Sequence, residues 1–309
     1  SVAIVAQGRK RATCCGQENM SSLAPVLCYA RVRPALAREI DGERLNRCLA
    51  HQAGTPVLHV ATKPGAPVVI EDDGSSSSPD VKAFVLDGVF DETCDTGAVY
   101  ETVGHGLVDG VLEGVNSAIL CYGMTGSGKT HTMLGDCCVG IDGMVSLAAC
   151  QLLAAAGASG GAVTVACGFM QLYGTQATDL LEEATSAKPL KITRRGGEIV
   201  VEGQRRRAVA SVSDVTSLVA QGVSRRKVAS QKLNSASSRS HAVLTFFVTR
   251  ESVGNDCGDD GSDNSDVETV AAWCSKLMCV DLAGCERVKE SGVEGVALRE
   301  AQAINLSLF

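Results

Sequence analysis

The run Gly123-Met124-Thr125-Gly126-Ser127-Gly128-Lys129-Thr130 fits G-x-x-x-x-G-K-[ST], the pattern of a loop that holds nucleotide phosphates. Each residue type has a task. Glycines let the backbone curl until its N–H groups, from Gly123 to Gly128, converge on phosphate oxygens. Lys129 carries a positive charge toward the β- and γ-phosphates, and the Thr130 hydroxyl suits a Mg²⁺ ion. The competing reading is an ordinary turn in a chain with 33 glycines. The flanks oppose it. Residues 116–122 are short, largely apolar and bounded by turn residues, which predicts a buried strand. A helix opening at Lys129 adds the anion affinity of its N-terminus.

Other elements must hold this loop. The spacing predicts strands over 25–34, 84–90, 163–173, 241–249 and 276–281. It predicts helices over 95–114, 144–156 and 213–223, the last capped by Ser211 or Ser213. Residues 71–80 read as a polar loop. Residues 1–23 have no clear period and read as a flexible N-terminal extension. The stretch 251–268 holds seven acidic residues and no Lys or Arg, and reads as a disordered acidic loop. Strands and helices alternate, so the class is α/β with one central sheet.

Composition excludes several classes. Hydrophobic residues make up 45% of the 309 and aromatics 4%, so Val, Leu, Ile and Ala must fill the core. No apolar run is long enough for a membrane span, and no secretory leader opens the sequence. The 14 cysteines show neither C-x-x-C pairs nor zinc spacing, and most of them read as small core hydrophobes in a reducing compartment. A net charge of −7 argues against a general nucleic-acid binder.

Two later segments refine the nucleotide chemistry. Asn234-Ser235-Ala236-Ser237-Ser238-Arg239-Ser240-His241 places four hydroxyls and one Arg at the mouth of a strand. Hydroxyls can ligate Mg²⁺ or touch a γ-phosphate; the bland alternative is a polar turn. Val280-Asp281-Leu282-Ala283-Gly284-Cys285-Glu286-Arg287 ends a strand in Asp, with Gly three residues on. An Asp there can hold Mg²⁺ through water, and the Gly lets a backbone N–H approach a γ-phosphate.

With the phosphate loop, these segments resemble the kinesin motor domain. The likeness rests on Arg31-Val32-Arg33-Pro34, residues 121–133 (CYGMTGSGKTHTM), 234–241 (NSASSRSH) and 281–287 (DLAGCER). Weaker echoes are Phe90-Asp91, Leu172-Tyr173 with Asp179-Leu180-Leu181, and Arg226-Lys227-Val228-Ala229. The likeness covers residues 24–309. It implies a P-loop NTPase-like fold with a central, mostly parallel sheet flanked by helices. It also implies a microtubule-stimulated ATPase with ATP and Mg²⁺, working on microtubules in the cytoplasm.

Residue by residue, the resemblance implies that Arg31, Pro34 and His131 border the base. Lys129 lies on the phosphates. Thr130, Ser238 and Asp281 serve the metal, Asn234 helps close the site, and Gly284 senses the γ-phosphate. Arg239 and Glu286 would form an ion pair joining the two switch segments. Lys191, Arg194, Arg195, Arg205, Arg206 and Arg207 surround an expected hairpin that matches the family's tubulin-facing loop; a solvated basic turn is the alternative. Self-association would run through segments outside this sequence.

The pattern also departs from the family. Leu306 stands where the family usually carries Lys, and Cys285 where it usually carries Ser. The end at Phe309 reads as that of a fragment. A protein that binds ATP or microtubules without productive motility is therefore the second reading. A signalling GTPase is disfavoured because no N-K-x-D occurs near a strand end.

Overall fold

The computed structural model describes residues 2–8, 26–35, 40–41, 44–45, 48–63, 68–71, 73–76, 78–136, 140–182, 189–196, 198–232, 239–253 and 269–285. Strands β1 (Val2–Gly8) and β2 (Leu27–Arg31) precede the ribbon β3 (Ile40–Asp41) and β4 (Arg44–Leu45). A three-stranded sheet follows, β5 (Leu49–His51), β6 (Val57–Ala61) and β7 (Val81–Val85), then β8 (Gly88–Phe90). Helices α1 (Thr96–Val103) and α2 (His105–Leu112) lead to β9 (Ser117–Tyr122) and α3 (Lys129–Leu134). The ribbon β10 (Gly135–Asp136) and β11 (Ile141–Asp142) precedes α4 (Met144–Ala158) and β12 (Val163–Tyr173). Then come β13 (Gln176–Asp179), β14 (Pro189–Arg195), β15 (Glu198–Glu202) and β16 (Arg207–Ala208). Helix α5 (Val212–Lys232) and strands β17 (His241–Val253) and β18 (Thr269–Asp281) complete the described elements.

The central sheet has 11 strands in the order β15-β14-β13-β12-β17-β18-β9-β1-β2-β8, with β16 paired to β12. It is mixed. Among the described strands only β18–β9 and β2–β8 pair in parallel. The expectation of mostly parallel pairing therefore fails, because β12, β17 and β18 are long neighbours that pair antiparallel. The α/β class with a central sheet and packed helices holds.

Further boundaries differ from expectation. The strand expected over 84–90 divides between β7 and β8, which belong to different sheets; α5 continues to Lys232, and β18 starts at Thr269. Val2–Gly8, expected within a flexible extension, is a strand between β2 and β9, antiparallel to both, with Ile4 fully buried. The helix over 95–114 is two helices, divided at Gly104. A Cβ there would sit 2.5 Å from the Tyr100 ring, so this turn needs Gly. The acidic stretch is ordered at its start: Glu251 to Val253 pair with residues of β18, while 254–268 lie outside the described residues.

Local chemistry explains the helix starts. Asp95 caps α1 by accepting the Ala98 N–H at 2.8 Å. Ser211 accepts the Asp214 N–H at 3.2 Å, and Asp214 returns the bond to the Ser211 N–H at 2.9 Å, a capping box for α5. Alternation along the strands then sends one set of side chains into the main core. Ile119, Cys121, Phe169, Leu244, Phe246, Leu277 and Cys279 lie there with Val99, Val108, Met133, Leu152 and Val215 from all five helices. The opposite set, Met170, Ala177, Leu190 and Val243, forms a smaller cluster. The Cys167 and Cys279 thiols are pushed up to about 12 by burial, which keeps them neutral. With Cys121 they are the buried ones among the described cysteines; Cys48, Cys150 and Cys274 are exposed, so the expectation that most cysteines are core hydrophobes does not hold there. Helix α5 approaches β12 so closely that a Cβ on Gly222 would meet the Phe169 ring at 2.2 Å.

Register delivers the site. Parallel β9 and β18 pair Cys121 with Asp281, so both strands end at one edge of the sheet. Through β1, Arg31 at the end of β2 reaches the same edge, since Val2 pairs with Arg31 and Ala3 with Tyr122. Carboxyl ends of neighbouring parallel strands are where ligands of α/β sheets bind.

Candidate functional site

The phosphate loop runs from the end of β9 into α3, as the sequence predicts. Gly126 and Gly128 have φ of 77° and 105°, a region that L side chains rarely adopt. The cleft above the loop has a volume of about 330 Å³. It is lined by Thr125, Gly126, Gly128, Lys129, Thr130 and His131 of the loop and α3, and by Val223, Arg226, Lys227, Asp281, Leu282 and Gly284 of α5, the end of β18 and the residues after it.

Lys129 is 7% exposed and its Nζ donates to the Gly123 and Met124 carbonyls, each at 2.8 Å. The ammonium thus sits inside its own loop, held by carbonyls whose pull a phosphate can outbid. Thr130 Oγ1 donates to Asp281 Oδ2 at 2.7 Å. Arg226 Nη1 donates to the same oxygen at 3.0 Å, and both charged side chains of this ion pair are buried. Arg226 is held in turn by Ser240, whose Oγ accepts Nε at 3.2 Å and whose carbonyl accepts Nη2 at 2.6 Å.

Asp281 Oδ1 is different. It is buried and, among the described residues, has no hydrogen-bond partner. A bare carboxylate oxygen in a dry site is costly unless something positive or protic faces it. Magnesium with its water shell is such a group, and oxygen donors are what it takes. Thr130 beside Asp281 supplies a second oxygen, so the residues present fit the ion. Ser127 Oγ, in the loop itself, is likewise buried and without a partner among the described residues.

The base-side residues separate. Arg31 is buried and points away from the cleft: Nη1 bonds to Thr96 Oγ1 at 3.1 Å and Thr132 Oγ1 at 3.0 Å, and Nη2 bonds to the Cys94 carbonyl at 3.2 Å. It joins the start of α1 to α3, and its burial opposes its charge. Arg33, not singled out from the sequence, reaches the loop instead, with Nε bonded to the Gly126 carbonyl at 2.9 Å and Nη1 to the Pro34 carbonyl at 2.8 Å. Its place two residues along the same strand exit was the available signal. Pro34 is exposed and His131 is exposed at the rim of the cleft.

Gly284 is buried and lines the cleft. Arg239 is half-buried, whereas Asn234, Ser238, Glu286 and Leu306 lie outside the described residues. Arg226 and His241 are the contributors that sequence reasoning did not assign. Arg226 lies among cations on a helix, a pattern that reads as solvated. Its buried role depends on a carboxylate 55 residues away.

The expected basic hairpin forms as β14 and β15, with Ile192 paired to Val201. Three of its six cations are occupied. Arg195 pairs with Glu202 at 2.5 Å, Arg205 with Glu182 at 3.1 Å, and Arg206 lies 4.0 Å over the Phe247 ring. Lys191, Arg194 and Arg207 are exposed.

The family model described as the kinesin motor domain matches residues 31–309. The chain belongs to the kinesin motor family. It is 34% identical over 295 residues to mouse Kinesin-like protein KIF15, covering 91% of this chain and 19% of that protein. It is 34% identical over 234 residues to rice Kinesin-like protein KIN-UA, covering 74% of this chain and 25% of that one. The chain thus spans a quarter or less of these two relatives. A solved structure described as a fast kinesin superposes with a TM-score of 0.70 at 26% identity, covering 90% of this chain and 70% of its own. A KIF14 structure, solved with AMP-PNP in complex with a microtubule, superposes with a TM-score of 0.67 at 27% identity, covering 91% of this chain and 74% of its own.

Proposed function

We propose that this chain is the nucleotide-hydrolysing core of a microtubule motor: an Mg-ATPase whose turnover is coupled to microtubule binding. The observation that carries the reading is the Asp281 carboxylate. One of its oxygens is held by Thr130 and Arg226 and the other is buried without a partner among the described residues, beside a phosphate loop whose lysine is folded inward. The match to the kinesin motor domain model and the KIF14 structure in complex with a microtubule support the partner.

Phosphoryl transfer asks mainly for positioning and charge stabilisation. The loop amides and the α3 N-terminus receive the phosphates, and Lys129 exchanges its two loop carbonyls for phosphate oxygens. Arg226, braced by Ser240, fixes the Asp281 carboxylate. Magnesium, when bound, neutralises phosphate charge, and Thr130, Asp281 and Ser238 would hold it. Gly284 offers its amide to the γ-phosphate, and Arg239 with Glu286 closes the two switch segments over the site. On the outer surface, Lys191, Arg194 and Arg207 face an acidic filament.

The partner reading has a direct test. Replacing Lys191, Arg194 and Arg207 with Glu is expected to weaken co-sedimentation with microtubules about tenfold at low salt, and to flatten its salt dependence. Unchanged affinity would remove the hairpin from the interface. The second reading, binding without productive turnover, is favoured by Leu306 in place of the family's Lys. Hydrolysis rates with and without microtubules separate the two.

A further inference from the structure

The segment after β18 is held amide by amide. The Leu282 N–H donates to the Cys121 carbonyl at 3.2 Å, and the Cys285 N–H donates to the Gly123 carbonyl at 3.3 Å. Between them, the Ala283 N–H donates to His241 Nδ1 at 3.1 Å in a buried setting. His241 is 6% exposed and Ala283 is fully buried. Among the described residues, no acceptor is assigned to the Gly284 N–H, the amide left between these anchors and beside the cleft. Two of the anchors are backbone carbonyls next to the phosphate loop. The third is a side chain, and it belongs to another segment.

That segment matters. His241 directly follows Ser240, which braces Arg226 through both its hydroxyl and its carbonyl. One dipeptide at the start of β17 therefore holds both the carboxylate end of β18, through Arg226, and the backbone just beyond it.

We propose that His241 is a positioning residue for the nucleotide reaction: its Nδ1 fixes the Ala283 amide and thereby aims the Gly284 amide at the terminal phosphate. The inference rests on the reading of the cleft as a nucleotide-hydrolysing site. Its Nδ1 carries no proton in this bond, so the ring acts as an acceptor. An acceptor one bond beyond Cγ is what the position needs. Asn offers Oδ1 at that place, Gln offers its oxygen one carbon farther out, and Leu offers none.

The test compares His241→Asn, His241→Gln and His241→Leu in the full protein. Leu and Gln are expected to lower kcat for ATP about tenfold while the affinity for a fluorescent ATP analogue changes less than about threefold. Asn is expected to restore kcat to within about threefold of the parent. A Leu variant with parental kcat, or Asn and Leu variants equally impaired, overturns the proposal. Hydrogen exchange at Ala283 reads the same bond without turnover. Protection should persist with Asn and disappear with Leu, and protection kept with Leu overturns the proposal. A parent that hydrolyses no ATP but keeps this exchange pattern would refute the nucleotide reading and leave the His241 contact standing as a structural one.

Discussion

Replacing Lys129 with alanine is expected to weaken ATP binding about 100-fold and to remove measurable hydrolysis. A charge-assisted contact to phosphate in a water-poor loop is worth about 3 kcal/mol, and each 1.4 kcal/mol is a factor of ten. The fold should survive. In the structure Nζ bonds to loop carbonyls, at Gly123 and Met124. Losing bonds of that kind costs about 1 kcal/mol each. Titration with a fluorescent ATP analogue, beside a thermal melt, checks both halves. Parental affinity in a folded variant would mean that the loop does not hold phosphate.

Replacing Arg226 with methionine is expected to cost about 3 kcal/mol of stability and to lower the melting temperature by about 6–12 °C. The reason is the carboxylate left behind. Asp281 is 1% exposed, and without Arg226 its charge stays buried with its ion-pair partner gone. The double variant Arg226→Met with Asp281→Asn removes both charges and should recover most of the stability. It should not recover hydrolysis, because the group that fits Mg²⁺ is gone. Chemical denaturation of the single and double variants measures the first point, and ATPase rates the second. A single variant as stable as the parent would mean that the buried pair contributes nothing.

These two side chains also show where the sequence was legible and where it was not. Lys129 could be read at once, because strand, loop and helix are contiguous and each step has a local signal. Glycines turn the loop, an apolar run precedes it, and a helix follows. Asp281 could be read as a strand end, and its register beside Cys121 follows from the parallel pairing of β18 with β9. Arg226 could not, because its burial is decided by a carboxylate from a distant strand rather than by its neighbours on α5.

The same limit applies to β1. Its seven residues carry little period of their own; pairing with β2 and β9 places it in the sheet, and Ile4 is buried in the main core that the helices cover. Arg31 and Arg33 lie two apart on one strand exit, so spacing alone could not say which would turn inward. The structure gives the inward place to Arg31, through Thr96 and Thr132, and the loop contact to Arg33. In the basic hairpin, Glu198 and Glu202 were legible as acids among the cations, but which cations have partners was not. Glu182, Glu202 and Phe247 occupy three of the six.

The central claim is that this site hydrolyses ATP and that a microtubule controls the rate. Steady-state ATP hydrolysis by the intact protein, measured with and without microtubules, tests it most directly. The account predicts Mg²⁺-dependent turnover that microtubules raise at least about tenfold, a barrier change of about 1.4 kcal/mol. Turnover that is absent, or identical with and without microtubules, would contradict it.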